Sequence, residues 1–178
     1  MNSGQTIITF GSLILLSVAI LNLNKFIGES DITLAQSRYR LEALSILTSR
    51  IELASQYFFD EASTDTTSEK NLSDFVNPSH LGFDSNDDGY VDDFDDFDGI
   101  TEPDTGRSGV IYNVTYNIDY VKLVGDKFVA SSQREYHKRM TISITDGYTD
   151  PLLYRFANGE KIRDTLRVSF VHSYWFYN

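Results

Sequence analysis

The tightest constraint on this fold is an uncharged run, residues 6–23 (TIITFGSLILLSVAILNL), that passes without interruption into an amphipathic pattern. Eighteen residues at about 1.5 Å each span roughly 27 Å, close to the hydrocarbon thickness of a bilayer. Thr9, Gly11, Ser12 and Ser17 sit among the aliphatics, and small or hydroxylated residues in such a run commonly face other helices. A secretory signal opens on Lys or Arg and closes on a small-residue cleavage site. Here Met1-Asn2-Ser3-Gly4-Gln5 leads in, the first basic residue is Lys25, and Asn22-Leu23-Asn24-Lys25 is no Ala-x-Ala site. The segment therefore reads as retained. From Ile32 onward, Leu34, Leu41, Leu44, Leu47, Ile51, Ala54 and Phe58 recur at helical spacing, with Arg38, Arg40, Glu42, Arg50 and Glu52 beside or opposite them. Gly28 is a candidate kink between the two parts. A helix continuing to about Phe59 would be roughly 80 Å long, and its exposed half would need a bilayer or neighbouring subunits.

The division that follows is a helix over 1–59, anchor-like to about residue 27, and a globular domain over 60–178. A net charge of −11 argues against nucleic acid as a partner, because neutralising phosphates needs a basic face. Cysteine is absent, which removes thiolate metal sites, thiol catalysis and disulfides. A surface protein without disulfides is expected to gain stability by other means, such as metal binding, oligomerisation or covalent modification.

Residues 60–77 form a polar connector with a helical turn near 72–76. After Gly109 the period changes to two. Val110, Tyr112, Val114, Tyr116, Ile118 and Tyr120 alternate with polar or outward residues, which predicts a strand. Gly125-Asp126 predicts a hairpin turn into 127–131. Residues 137–145 alternate again, with Lys138, Met140, Ile142 and Ile144 on one side, and end at Asp146-Gly147. Asn158-Gly159 is another turn signal. Leu166, Val168, Phe170, His172, Tyr174 and Phe176 share one face of a last strand. The expectation is an α+β fold, with the long N-terminal helix packed on a C-terminal antiparallel meander.

Residues 84–95 (DSNDDGYVDDFD) carry the strongest chemical motif. Asp84, Asn86, Asp88, Asp92 and Asp95 fall at loop positions one, three, five, nine and twelve, Gly89 at six, and Tyr90 at seven, where its carbonyl would serve. Calcium takes six to eight hard oxygen ligands, and this spacing wraps alternate side chains around one point. The loop resembles the calcium loops of bacterial dockerin-type modules, where Asp commonly ends the loop; the flanking helices of an EF-hand are not evident. The segment 84–99 is therefore expected to hold calcium through Asp84, Asn86, Asp88, Tyr90, Asp92 and Asp95. The plain alternative is a solvated acidic loop. Asp92, Asp93 and Asp96 also match DDxxD, a magnesium-diphosphate motif of large helical enzymes that a short β-rich chain does not suit.

His80, His137 and His172 have no metal-ligand spacing, and His172 reads as a packed or rim residue. Phosphate-binding glycine loops and activated nucleophiles are missing from the sequence, so no catalytic residue is expected. Asn71 and Asn113 begin glycosylation sequons, the second within a predicted strand, where a sugar would have to face outward.

In order of parts, the chain resembles type IV pilins and the pilin-like proteins of filament and secretion systems. Phe94-Asp95-Asp96-Phe97-Asp98-Gly99 looks like the Asp-rich stretch of MSHA-type minor pilins, and Gly4-Gln5 is similar to the junction at which some prepilins are cut. Pilins usually carry Glu at the fifth mature position; the residue here is Gln5, or Thr9 if Gly4 is removed. The resemblance implies a structural subunit of an extracellular homopolymeric filament on the cell surface. A precursor pool would be anchored in the inner membrane, and pilus assembly machinery would be a partner. The alternatives are a membrane-anchored, non-polymerising calcium-binding adhesin or sensor, and a secretion-system pseudopilin.

Overall fold

A computed structural model of the chain describes residues 3–64, 67–83 and 90–175. It contains one long N-terminal helix and an antiparallel sheet, an α+β arrangement. The helix, α1, runs Ser3–Ala54, and helical structure continues through Gly28. It stops short of the predicted end at Phe59. Gln56 N–H donates to Leu53 O and Tyr57 N–H to Ala54 O, tightening the last turn. Phe58 then pairs with Asp93 in a parallel bridge.

Two compact units divide the chain, Met1–Tyr39 and Arg40–Asn178, and the division falls within α1. In the first unit the apolar side chains are exposed, Ile7 at 72% and Leu15 at 72% among them. An 18-residue window with mean hydropathy 2.2 and no buried residue is long and apolar enough to cross a membrane. Its hydroxyls turn inward on the backbone: Thr9 donates to Thr6 O, Ser12 to Thr9 O and Ser17 to Leu13 O. That pairing removes free donors, which an apolar environment penalises.

In the second unit α1 buries Ala43, Leu47 and Ala54, spaced by four and seven residues. Here the predicted stripe needs correction. Leu47 and Ala54 lie inward, yet Leu34, Leu41, Leu44 and Phe58 remain exposed, Leu41 at 68%. The helix carries more apolar surface than one sheet covers, and small residues at 43 and 54 define the face that comes closest. Polar clamps fix that face. Arg50 pairs with Glu102 at 3.2 Å and Asp104 at 2.9 Å, Arg40 with Asp164 at 2.6 Å. The Glu42 carboxylate accepts Ser108 N–H at 2.6 Å, Ser108 Oγ–H at 2.5 Å and Tyr112 O–H at 3.0 Å. Gly106 leaves the room this needs, since a Cβ there would strike the same carboxylate. Replacing Glu42 by Ala should lower unfolding free energy by about 1.5–3 kcal/mol, the range for hydrogen bonds to a charged group. Denaturant titration of the two proteins measures it.

The sheet runs in the order β1 (Thr101–Thr105), β2 (Ile111–Val124), β4 (His137–Asp146), β7 (Leu166–Ser173), all antiparallel; β3 (Lys127–Ala130) pairs only with the far end of β2. The predicted meander therefore changes in one respect: β3 is too short to separate β2 from β4, and Tyr112 to Tyr120 pair with β4 instead. β1 was not evident in the sequence, because Pro103 weakens its strand signal and is tolerated only at an edge. Around Asn158 and Gly159, both at positive φ, β5 (Tyr154–Ala157) and β6 (Glu160–Arg163) form a separate hairpin. The period-two reading locates the core well. Tyr112, Val114, Tyr116, Ile118 and Tyr120 of β2 and Met140, Ile142 and Ile144 of β4 are all buried. Asp146 is also fully buried; it caps the turn after β4 by accepting Tyr148 and Leu153 N–H. Asn113 faces outward and is exposed, as is Asn71.

Candidate functional site

The described part of the acidic segment is bolted to the domain by its aromatic and aspartate residues in alternation. Phe94 and Phe97 are buried, Phe94 edge-on to Phe170 and Phe97 packed against Tyr57 and Tyr116. Asp98 Oδ1 accepts Ile118 N–H at 2.6 Å and ties the segment to β2. Phe94 N–H donates to Phe58 O, and Gly82 N–H to Asp95 O. Gly82 sits at φ +91°, and a Cβ there would lie 3.0 Å from Asp98 O, so glycine is what lets the connector pass. Asp93 Oδ1 accepts the N–H groups of Asp95 and Asp96, and Asp96 Oδ2 those of Asp92 and Asp93. Side-chain carboxylates are thus used to close the chain on itself.

A cleft of about 470 Å³ opens beside this segment, lined in part by Asp60, Glu61, Asp74, Asp93, Asp95 and Asp96. Lys138, on β4 between β2 and β7, is fully buried. Its Nζ donates to Phe59 O at 2.8 Å, Asp60 Oδ2 at 2.8 Å and Asp95 Oδ1 at 2.5 Å. It also lies 4.5 Å from the centre of the Phe59 ring and 5.3 Å from that of Tyr120. All three ammonium protons have acceptors, which is what a buried cation requires. No protein-family model, curated protein or solved structure matches the chain.

Of the six expected calcium ligands, Asp84, Asn86 and Asp88 lie outside the described residues. Tyr90 and Asp92 are exposed at the outer end of the segment. Asp95 is buried and directs Oδ1 into the core, to Lys138. Among the described residues, no group of three or more His, Asp or Glu side chains converges as a metal cage. In the DDxxD triplet, Asp93 and Asp96 are committed to backbone N–H groups. Lys138 is the residue that sequence reasoning missed. The signal was present: a lysine in the inward phase of an alternating strand, in a chain with an aspartate-rich segment, demands a buried anionic partner.

Burial, reinforced by the neighbouring Asp95 carboxylate, pushes Asp93 up to about 8; burial also raises Asp95, to about 6, against the pull of Lys138. On β7, His172 sits opposite Lys138 in register and is stacked between Phe94, 4.9 Å away, and Phe59, 6.1 Å away. Burial, and then the Lys138 charge, hold its imidazole below the ordinary value. Because the folded ring resists protonation, the unfolded chain takes up the extra proton as pH falls through about 6.5. The His172 contribution is therefore present above that pH and lost below it. Replacing His172 by Phe should flatten the decline in Tm between pH 7 and pH 5 relative to the parent protein. Equal declines would show that the ring titrates normally.

Proposed function

We propose that the chain is a structural subunit of an extracellular type IV pilus-like filament. One observation carries this: the apolar length of α1 is exposed along its whole first unit, while the following turns are seated on a sheet. Side chains such as Ile7, Leu15, Leu21 and Phe26 need lipid or other protein around them. A membrane would serve before assembly, and copies of the same helix would serve afterwards, through close packing of small residues and internally paired hydroxyls. Leu41 and Leu44, left outside the sheet-packed face, extend that surface.

Calcium has a place in this reading. The loop would wrap the ion with Asp84, Asn86, Asp88, the Tyr90 carbonyl and Asp92, while Asp95 holds the loop base to Lys138. Calcium binding to the folded state alone would raise stability by mass action. Full-length protein in detergent should show a Tm that falls on adding EDTA and returns with excess calcium; an unchanged Tm together with no calcium by elemental analysis would remove the ion from this proposal.

A membrane-anchored adhesin or sensor that never polymerises would use the same helix as a single span. The two are separated by withdrawing detergent from the purified protein and examining it by electron microscopy. Ordered filaments support the subunit reading, and soluble particles or vesicle-bound monomers support the anchored module.

A further inference from the structure

Lys138 and Asp95 present an amine and a carboxyl in contact, both buried, in a chain that has no cysteine to crosslink. We propose that these two side chains condense into an intramolecular amide that joins β4 to the acidic segment, across 43 residues of sequence. The Nζ atom is 2.5 Å from Asp95 Oδ1, and neither residue is more than 4% exposed. Aromatic rings of Phe59 and Tyr120 wall the amine, and Phe94, next to Asp95 in the chain, is fully buried.

The chemistry balances with no other reactant. The Nζ–Cγ bond forms, one Cγ–O bond of Asp95 breaks, and that oxygen leaves as water with two of the three ammonium protons. The pair starts with one positive and one negative charge and ends as a neutral amide, so net charge is unchanged. Asp60 Oδ2, 2.8 Å from Nζ, is placed to take a proton from nitrogen and return it to the departing oxygen. Asp60 is itself held by the N–H groups of Ala62 and Val76, at 3.3 and 2.9 Å. That fixation suits a proton acceptor more than the group consumed.

Two physical effects favour condensation. Fixed contact between the reacting groups replaces an encounter in solution, which is worth many orders of magnitude in rate. Burial disfavours the charged pair relative to a neutral amide. The crosslink forms within one folded chain and needs neither a filament nor calcium.

Mass spectrometry of a tryptic digest of the full-length protein tests this. Lys138 as an amide is no longer a cleavage site, so peptide 135–139 should appear joined to peptide 71–107, which contains Asp95, one water lighter than their sum. Recovery of peptide 135–138 and an unlinked 71–107 alone would overturn the proposal. A link from 135–139 to 51–70, which contains Asp60, would overturn the choice of acceptor. Asp60→Asn, which keeps both reacting groups, should lose most of the linked species; linkage at the parent level would overturn the proton-transfer role of Asp60.

Discussion

In the filament proposed above, removing residues 6–23 should abolish polymerisation completely while leaving the β domain folded. The deleted segment holds Ile7, Ile8, Phe10, Leu15 and Leu21, each more than 60% exposed. Burying side chains of this kind is worth about 1.5–3 kcal/mol apiece. A run of them supplies more association energy than the polar surfaces of the domain can replace. The second unit, Arg40–Asn178, keeps its own buried core, from Ala43 to Leu153, without that segment. The truncated protein should therefore be soluble without detergent, retain a cooperative melt, and show no filaments by electron microscopy. Ordered filaments from it would sink the assembly proposal, since the helix would then not be the spine.

Replacing Lys138 by Met should be the most destabilising single change in the domain. Met matches the length of the aliphatic stem, so packing against Phe59 and Tyr120 is largely kept. What disappears is the only cation bonded to Asp60 and Asp95 among the described residues, leaving carboxylates that are 3% and 4% exposed to face each other. Breaking a buried pair by removing one partner costs about 3–5 kcal/mol, against a total stability of about 5–15 kcal/mol for a domain. Loss of the proposed amide would add to this. Adding Asp60→Asn and Asp95→Asn to Lys138→Met removes the like charges and should restore a large part of the loss. Calorimetric melts of the three proteins decide it. A single variant within about 1 kcal/mol of the parent, the scale of an ordinary surface substitution, would mean that Lys138 does not hold the cleft together.

Much of the architecture could be read from local pattern. Period two in Tyr112, Val114, Tyr116 and Ile118 marks a strand buried on one face, and the structure buries those side chains. The helix was equally plain, because its apolar run and its spacing leave no other regular structure. Its buried face was less legible. Leu41, Leu44 and Leu47 lie within two turns, and periodicity cannot tell which of them meets the sheet; the structure takes Leu47 and leaves Leu41 outside. β1 escaped notice because an edge strand with Pro103 has little local signature. The acidic segment was recognised as chemistry, but the destination of each carboxylate was not. Asp93 and Asp96 turn back on their own backbone, Asp98 holds β2, and Asp95 reaches Lys138.

The uncharged run continuous with an amphipathic helix is determined by sequence alone, because helix formation and hydropathy depend on neighbours three and four residues away. The same holds for the period of the strands and for the density of aspartate near residue 90. Only the tertiary structure decided that Lys138, 43 residues from Asp95 and 78 from Asp60, would become their shared counter-ion. A buried charge is tolerated only where every proton finds an acceptor, and which acceptors arrive depends on how the connector and the sheet close over one another.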